Sequence, residues 1–544
     1  MHFASVFQAN KSSDVEAELA ASNIRLNAVD LDTFEISPAM LIDASKRLKN
    51  SFAPGPDGIP PTVLRRCASA IAVPLAYIFN NSFEHGEFPM SWKLSYMFPV
   101  HKSGSRHDVK NYRGITSLTA ASKLFEIIVS DYILRATKNQ ISTDQHGFIP
   151  GRSVATNLID LTCTCMEAME RKAQVDVIYT DLKAAFDKID HNVLLYKLSR
   201  LGASNRLVSW FSSYLVDRTL HVKHGSSISP PFVNMSGVPQ GSNLGPLLFV
   251  LFFNDAAASL GYRCKLIYAD DMKIYAIVYS IEDCFHLQML LDSFVLWCRK
   301  NKLVISIAKC HVMTFHRTLN PIVFDYTIDA SVINRVDQVT DLGVMLDSKL
   351  TFHSHHSMII SKANRQLGFI AKIAKGFTDP HCLKALYCAL VRPILENASI
   401  VWTPNDVTWN LRIERVQKRF LRLALRNLPW RDPLNLPAYP DRCQLLGLDT
   451  LERRRKLQQA TFVAKLVVGE IDCPYILSLL DFHAPGRTLR QQHVLQPRRF
   501  HRTLYGYNQP ISAMIRTFTA AESAFDFDIS SRQFINRVRR SRLI

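Results

Sequence analysis

The stretch IYADDMKIY, residues 267–275, sets two acids side by side in the middle of an apolar run. Isoleucine, tyrosine and alanine precede them, and methionine, isoleucine and tyrosine follow, which is the pattern of strand core. A buried carboxylate without a partner is expensive, so it is paired, hydrogen-bonded or bound to metal. Neighbours on a regular strand point to opposite faces, so Asp270 and Asp271 reach one site only across a turn. KLIYADDMKIYAIV (265–278) therefore predicts two short strands around an acidic tip. A second apolar run, VDVIYTDL (175–182), carries Asp181 at its end. Two strands that deliver carboxylates at their tips can converge in one sheet, and converging carboxylates repel unless a cation neutralises them. Mg²⁺ takes hard oxygen ligands and keeps room for substrate phosphates. An isolated Asp-Asp dipeptide would suit a solvent-exposed hairpin tip better, so the rest of the chain has to decide.

The chain has 544 residues, too many for one ordinary core, so several subdomains are expected. With 47% hydrophobic and 21% charged residues the composition is globular. Lys and Arg total 65 against 47 Asp and Glu, a net +18 that suits a polyanionic partner, although a merely basic protein has the same totals. Eleven scattered cysteines without a C-x-x-C suggest neither a disulfide framework nor a zinc finger, and point to a reducing compartment. The N-terminus lacks a signal-peptide layout, and the longest apolar run, PLLFVLFF (246–253), is too short to span a bilayer. A soluble protein is expected.

FAPGPDGIP (52–60) reads as a loop, 62–100 as helices broken at HGEFP, and VHKSGSRHDVKNYRGI (100–115) as a basic loop or hairpin. Helical spacing follows at 117–137, at 183–202 after the Asp181 strand, and at 284–303. Residues 232–255 read as strand, Gly-rich turn and buried helix. KCHVMTFHR (309–317) and DLGVMLD (341–347) look like strands. Beyond about 350, basic helical patterns dominate at 362–375, 411–426 and 451–467, with a linker at 430–450 and an Arg- and aromatic-rich tail at 485–544.

YADD (268–271) in an apolar hairpin, with DLKAAFDKIDH (181–191) and SGVPQGSNLGPLLF (236–249) upstream in this order, resembles reverse transcriptases. The finer text is similar to the non-LTR, LINE-type group, especially its jockey-like members. GPDGIP (55–60), GEFPMSWK (86–93), NYRGITSL (111–118), QHGFIPGRS (145–153), WCRKNKL (297–303) and LVRPILENASIVW (390–402) each look like family blocks. Many ordered blocks together are far more specific than any one of them. The resemblance covers about 50–430, and LGLDTLERRR (446–455) extends it more weakly.

This resemblance implies an α+β right-hand polymerase: fingers, a ferredoxin-like palm and a thumb, followed by a mainly helical C-terminal region. It implies an extension at 1–50 following an endonuclease, fingers and palm at 51–350, a thumb-like region at 351–430 and a basic region at 431–544. Asp181, Asp270 and Asp271, with the carbonyl of Leu182, would hold two Mg²⁺ ions, with Mn²⁺ as a substitute. Phe186 falls at the steric gate against a ribose 2′-hydroxyl, where a core phenylalanine is the competing reading. Gln240 and Gly241 match the nucleotide-side P-Q-G turn, against an ordinary strand-to-helix turn, and Ser242 would cap a helix from about Asn243. Lys102 and Arg113 take the place of the triphosphate contacts, against two solvated bases. Lys309 matches a general acid for pyrophosphate, against a structural salt bridge, and Leu342 and Gly343 match the primer grip.

Gly114 stands where the family shows proline, Ser306 where it shows asparagine, and Asp341 where it shows an aromatic residue. HSHH (353–356) has no nearby cysteine and reads as surface polarity. The implied activity is an RNA-directed DNA polymerase with RNA template, DNA primer or target, and deoxynucleoside triphosphates as partners, in nucleus and cytoplasm and with no membrane. A maturase-like RNA-binding protein and a catalytically decayed copy are the rivals.

Overall fold

The computed structural model describes residues 2–7, 29–261, 263–377, 379–426, 437–483, 493–496, 503–541 and 544. Strands β1 (Ser95–His101) and β2 (Tyr112–Ser117) form an antiparallel hairpin. β3 (Gln174–Thr180) follows, then β4 (Arg218–His224), β5 (Ser227–Ile228), β6 (Phe232–Asn234), β7 (Lys265–Tyr268), β8 (Asp271–Val278) and β9 (His311–Phe315). β10 (Thr327–Ile328) and β11 (Ser331–Val332) pair with each other. β12 (Asn334–Arg335) precedes a last hairpin, β13 (Gln338–Asp341) and β14 (Val344–Asp347). One sheet has the order β2-β1-β4-β5, with β6 also on β4; the other has the order β12-β9-β3-β8-β7. The chain is mixed α/β, with about half of it helical.

The helices that matter for the site are α1 (Ala120–Thr137), α2 (Val154–Glu170), α3 (His191–Leu201), α4 (Gly245–Ser259), α5 (Ile281–Lys300), α6 (His353–Ile373), α7 (Val407–Ala424), α8 (Leu451–Val467), α9 (Pro510–Ala520) and α10 (Ser531–Ser541). The period-2 alternation of the second sheet divides them into two layers. Ile178, Ile274 and Val312 pack into one core with α1, α3, α4 and α5. Val175, Val177, Tyr275 and Phe315 pack into another with α2 and α6 to α10. The sheet that carries the aspartates is thus covered on both faces, which is why β3 reads as a nearly unbroken apolar run. Among the described residues no helix is long and apolar enough to cross a membrane.

Most predicted elements form, and the exceptions have local causes. The end of the 62–100 stretch is strand β1, because its SYMFPVH finds a partner in β2. The 183–202 helix is interrupted: Ala185–Lys188 stops short, and Asp190 restarts the chain as α3 by accepting the N–H groups of Asn192 and Val193. DLGVMLD is a hairpin turn plus a strand rather than one strand. Within 430–450, residues 430–436 lie outside the described residues, and Tyr439–Leu445 is a helix. HSHH reaches solvent only at its start: His353 is exposed, but His355 and His356 are buried against Trp402, whose carbonyl lies 2.9 Å from His356 Nε2.

Candidate active site

The register of the second sheet brings the acids together. β3 and β8 pair antiparallel from Gln174↔Val278 to Thr180↔Met272, so the next positions, Asp181 and Asp271, lie side by side at the end of the ladder. β7 and β8 close with Tyr268↔Asp271, leaving Ala269 and Asp270 as a two-residue turn. Ala269 takes a φ of 60°, a left-handed conformation that an alanine adopts only when its surroundings hold it there. The holding comes from below. Gln145 Oε1 accepts the N–H of Ala269 at 3.1 Å and that of Gly147 at 2.8 Å. The His146 N–H donates to the Ile267 carbonyl at 2.8 Å, and the Ile267 N–H to the Asp144 carbonyl at 2.9 Å. Residues 144–147 therefore run as an extra edge along β7. A Cβ on Gly147 would stand 2.4 Å from the Ala269 nitrogen, so only glycine fits there.

The electrostatics of the three acids are those of a site that wants a cation. Loss of water, and then the Asp181 charge, raise the Asp270 carboxyl above its ordinary value against the pull of Arg113 and Lys102. Asp271 faces solvent on one side and crowded protein on the others; that crowding, and then the Asp270 charge, raise it to about 6. Asp181 Oδ2 is buried without a hydrogen-bond partner, since Lys309 Nζ stands 3.3 Å away as an ion pair but out of hydrogen-bond alignment. An orphaned carboxylate oxygen within a set of hard oxygen donors fits a divalent ion such as Mg²⁺. Leu182 follows directly, its side chain buried and its backbone bridging Ile305, while the Ser306 N–H takes the Asp181 carbonyl at 2.8 Å.

Around the acids, Phe186 is half-buried, stacked on Phe249 at 4.2 Å and met edge-on by Phe148 at 5.9 Å. Gln240 Nε2 donates to Asp187 Oδ1 at 2.7 Å, and burial lifts that carboxyl to about 6 despite this bond. Gly241, at a φ of 114°, lies so close to β2 that a Cβ would be 2.5 Å from the Thr116 carbonyl. Here the glycine admits a neighbouring strand. Ser242 Oγ accepts the Gly245 N–H at 2.9 Å, so the helix starts two residues later than expected. Lys102 and Arg113 are exposed on the β1–β2 hairpin, and neither is ion-paired to a carboxylate among the described residues. Leu342 and Gly343 form the β13–β14 turn with φ of 45° and 87°, the primed geometry of a tight hairpin.

Residues 100–346 match the family model described as reverse transcriptase (RNA-dependent DNA polymerase). This segment is a reverse transcriptase domain. Curated relatives extend the similarity along most of the chain. The RNA-directed DNA polymerase from the mobile element jockey of Drosophila melanogaster is 29% identical over 74% of this chain and 46% of its own length. Two more from the same species, the probable RNA-directed DNA polymerases from transposon BS and transposon X-element, are each 27% identical; they cover 72% and 69% of this chain and 44% and 42% of their own lengths. The chain thus spans less than half the length of these relatives. Among solved structures, the apo telomerase from Candida tropicalis truncated from its C-terminal domain overlays with a TM-score of 0.35 at 12% identity, covering 52% of this chain and 59% of that one.

Several contributors to the reverse transcriptase domain are not apparent from spacing. Gln145 and Gly147 sit in the QHGFIPGRS block, yet their role under the aspartate turn depends on a contact across more than a hundred residues. Asp341, a departure from the family pattern, is buried and meets Lys273 Nζ at 2.6 Å, with both side chains under 4% exposed. Lys273 also donates to Asn157 Oδ1 of α2 at 2.5 Å. Since Lys273 lies two residues beyond Asp271 on β8, this pair fastens the Leu342–Gly343 hairpin to the strand that carries the acids.

Proposed function

We propose that the protein is the RNA-directed DNA polymerase of a non-LTR retrotransposon, extending a DNA primer on an RNA template. The convergence of Asp181, Asp270 and Asp271 at adjacent strand ends carries this reading. When bound on these acids and the Leu182 carbonyl, two Mg²⁺ ions, or Mn²⁺ in their place, would make a 3′-hydroxyl a better nucleophile and neutralise the leaving pyrophosphate. Lys102 and Arg113, without carboxylate partners among the described residues, meet the triphosphate charge. Phe186, its ring fixed by Phe249 and Phe148, excludes a 2′-hydroxyl and so selects deoxynucleotides. Gln240, anchored by Asp187, and Gly241, seated on β2, form the wall behind the nucleotide. Lys309, beside Asp181, gives its proton to the pyrophosphate. The Leu342–Gly343 turn supports the primer end.

In this reading residues 51–350 are fingers and ferredoxin-like palm, 351–430 the thumb and 431–544 a basic nucleic-acid-binding region. The exposed bases of the later helices add sequence-independent, salt-sensitive affinity. A chromosomal primer would place the activity in the nucleus. The test is primer extension on a primed RNA template with Mg²⁺, beside Asp270→Ala and Phe186→Ala. Extension with deoxynucleotides, lost in Asp270→Ala and opened to ribonucleotides in Phe186→Ala, is expected. RNA binding without extension would replace the polymerase with a decayed or maturase-like binding protein.

A further inference from the structure

Away from the aspartates, His146, Asp160 and Cys473 each point one ligating atom at a common space, all within 4.8 Å of one another. They come from three distant segments: the edge beneath the aspartate turn, helix α2, and the start of the short helix Pro474–Ser478. All are buried, with His146 1%, Asp160 6% and Cys473 3% exposed. The proton of the imidazole can be assigned. Thr156 Oγ1 gives its single proton to the Ser153 carbonyl at 2.8 Å and accepts the Ser153 N–H at 2.8 Å. It can therefore only accept from His146 Nδ1, 2.8 Å away, so Nδ1 carries the hydrogen and Nε2 keeps a bare lone pair. Among the described residues that buried Nε2 has no hydrogen-bond partner, and neither has Asp160 Oδ1. Burial, and then the charges of Arg152 and Lys273, push the imidazole down to about 3, which keeps the ring neutral.

We propose that His146 Nε2, Asp160 Oδ1 and Cys473 Sγ bind a zinc-class divalent ion, as a site separate from the aspartates. Nitrogen, oxygen and sulfur donors in one set suit Zn²⁺ and not Mg²⁺, which demands oxygen. Binding forms three metal–ligand bonds and releases the thiol proton, and that of Asp160 where it is protonated, to solvent. One thiolate and one carboxylate cancel the two charges of the ion, so the complex is neutral in a place where net charge would be costly. The surroundings are those of supported ligands. Thr156 orients the imidazole, and the Ile476 N–H bonds the sulfur. Of the nearby cations, Arg152 is engaged by Asp472 at 3.2 Å, while Arg263, seated over the Tyr475 ring at 3.3 Å, also holds a long ion pair of 3.7 Å with Asp160 Oδ1, which the metal would have to displace or share. The ion would join residue 473 to the segment whose Gln145 holds the aspartate turn, in parallel with the Asp472 N–H bond to the Gly151 carbonyl at 3.0 Å.

The test is metal content and cobalt spectroscopy on the full chain, neither of which depends on polymerase activity. Protein purified without chelator is expected to carry one equivalent of zinc. After exchange, Co²⁺ should show a thiolate-to-cobalt charge-transfer band together with tetrahedral visible absorption. Asp270→Ala and the exposed-thiol variant Cys67→Ser should keep both signals, while Cys473→Ser and His146→Gln should lose them with far-UV circular dichroism unchanged. If either ligand variant fails to fold, the thiolate band of the wild-type chain decides on its own, since the aspartate site has no sulfur. Folded wild-type protein that holds no zinc and gives no thiolate band with Co²⁺ would overturn the proposal, leaving a buried polar triad with Asp160 protonated. Zinc retained in both ligand variants would overturn it equally.

Discussion

At the scale of single residues, the acids differ in what they should do when changed. Asp181→Asn removes an orphaned oxygen from the centre of the proposed metal set, and should cost about 4 kcal/mol of transition-state stabilisation, roughly a thousandfold in single-turnover rate. The fold should be untouched, as circular dichroism would show. Asp271 makes a second, opposite prediction for stability. Its folded-state carboxyl, at about 6, lies above the ordinary value of 3.8. The folded protein therefore holds a proton that the unfolded chain has already released, and stability falls as pH rises from about 4 to about 6. Asp271→Asn should raise the melting temperature of metal-free protein at pH 7 and leave it unchanged at pH 4. Because the side chain is solvent-facing, screening keeps the gain below about 1 kcal/mol. Equal melting temperatures at pH 7 would mean that the carboxylates do not strain one another.

At the scale of elements, the turn that presents the acids depends on a loop from elsewhere. Gly147→Ala would drive a methyl group into the Ala269 nitrogen, and should lower kcat at least about tenfold with little change in nucleotide KM, since a displacement of about 1 Å is enough. The Lys273–Asp341 pair is a second such tie. Asp341→Ala strands a buried ammonium and should cost about 3–5 kcal/mol in urea denaturation; adding Lys273→Met should recover much of the loss. These two ties also mark the limit of what the sequence reveals. The β7–β8 hairpin was legible because a period-2 apolar run with two acids in it has few other uses. Its turn residue, Ala269, and its prop, Gln145, were not, because neither carries a local signal. Asp341 looked like a departure from the family when read alone, and makes sense only beside Lys273, whose partner is set by long-range register. His355 and His356 misled in the other direction: polar text, buried place, because His356 bonds the Trp402 carbonyl and His355 accepts the Met345 N–H.

At the scale of the whole molecule, the sequence-based division into polymerase and tail understates how late residues serve the early ones. The tail reads as weakly periodic, yet α9 and α10 lie in the same core as α2 and the back of β3. Arg152, only 3% exposed, is bound to Asp472, so the segment under the acids is also fastened from the C-terminal side. A chain ending at residue 426 should therefore lose more than nucleic-acid affinity. It should bind the dye ANS and melt without cooperativity, where a dispensable tail would leave both properties as in the full chain.

That shared core has a consequence for how the protein is made. Val175 and Phe518 belong to one apolar cluster, more than three hundred residues apart in the order in which a ribosome delivers them. The sheet bearing the acids emerges with only α2 ahead of it on this face, and the other helices of the cluster, α6 to α10, all follow it in the chain. A message broken between the codons for Asp271 and Phe518 yields a chain that has all three aspartates but not the core that backs them.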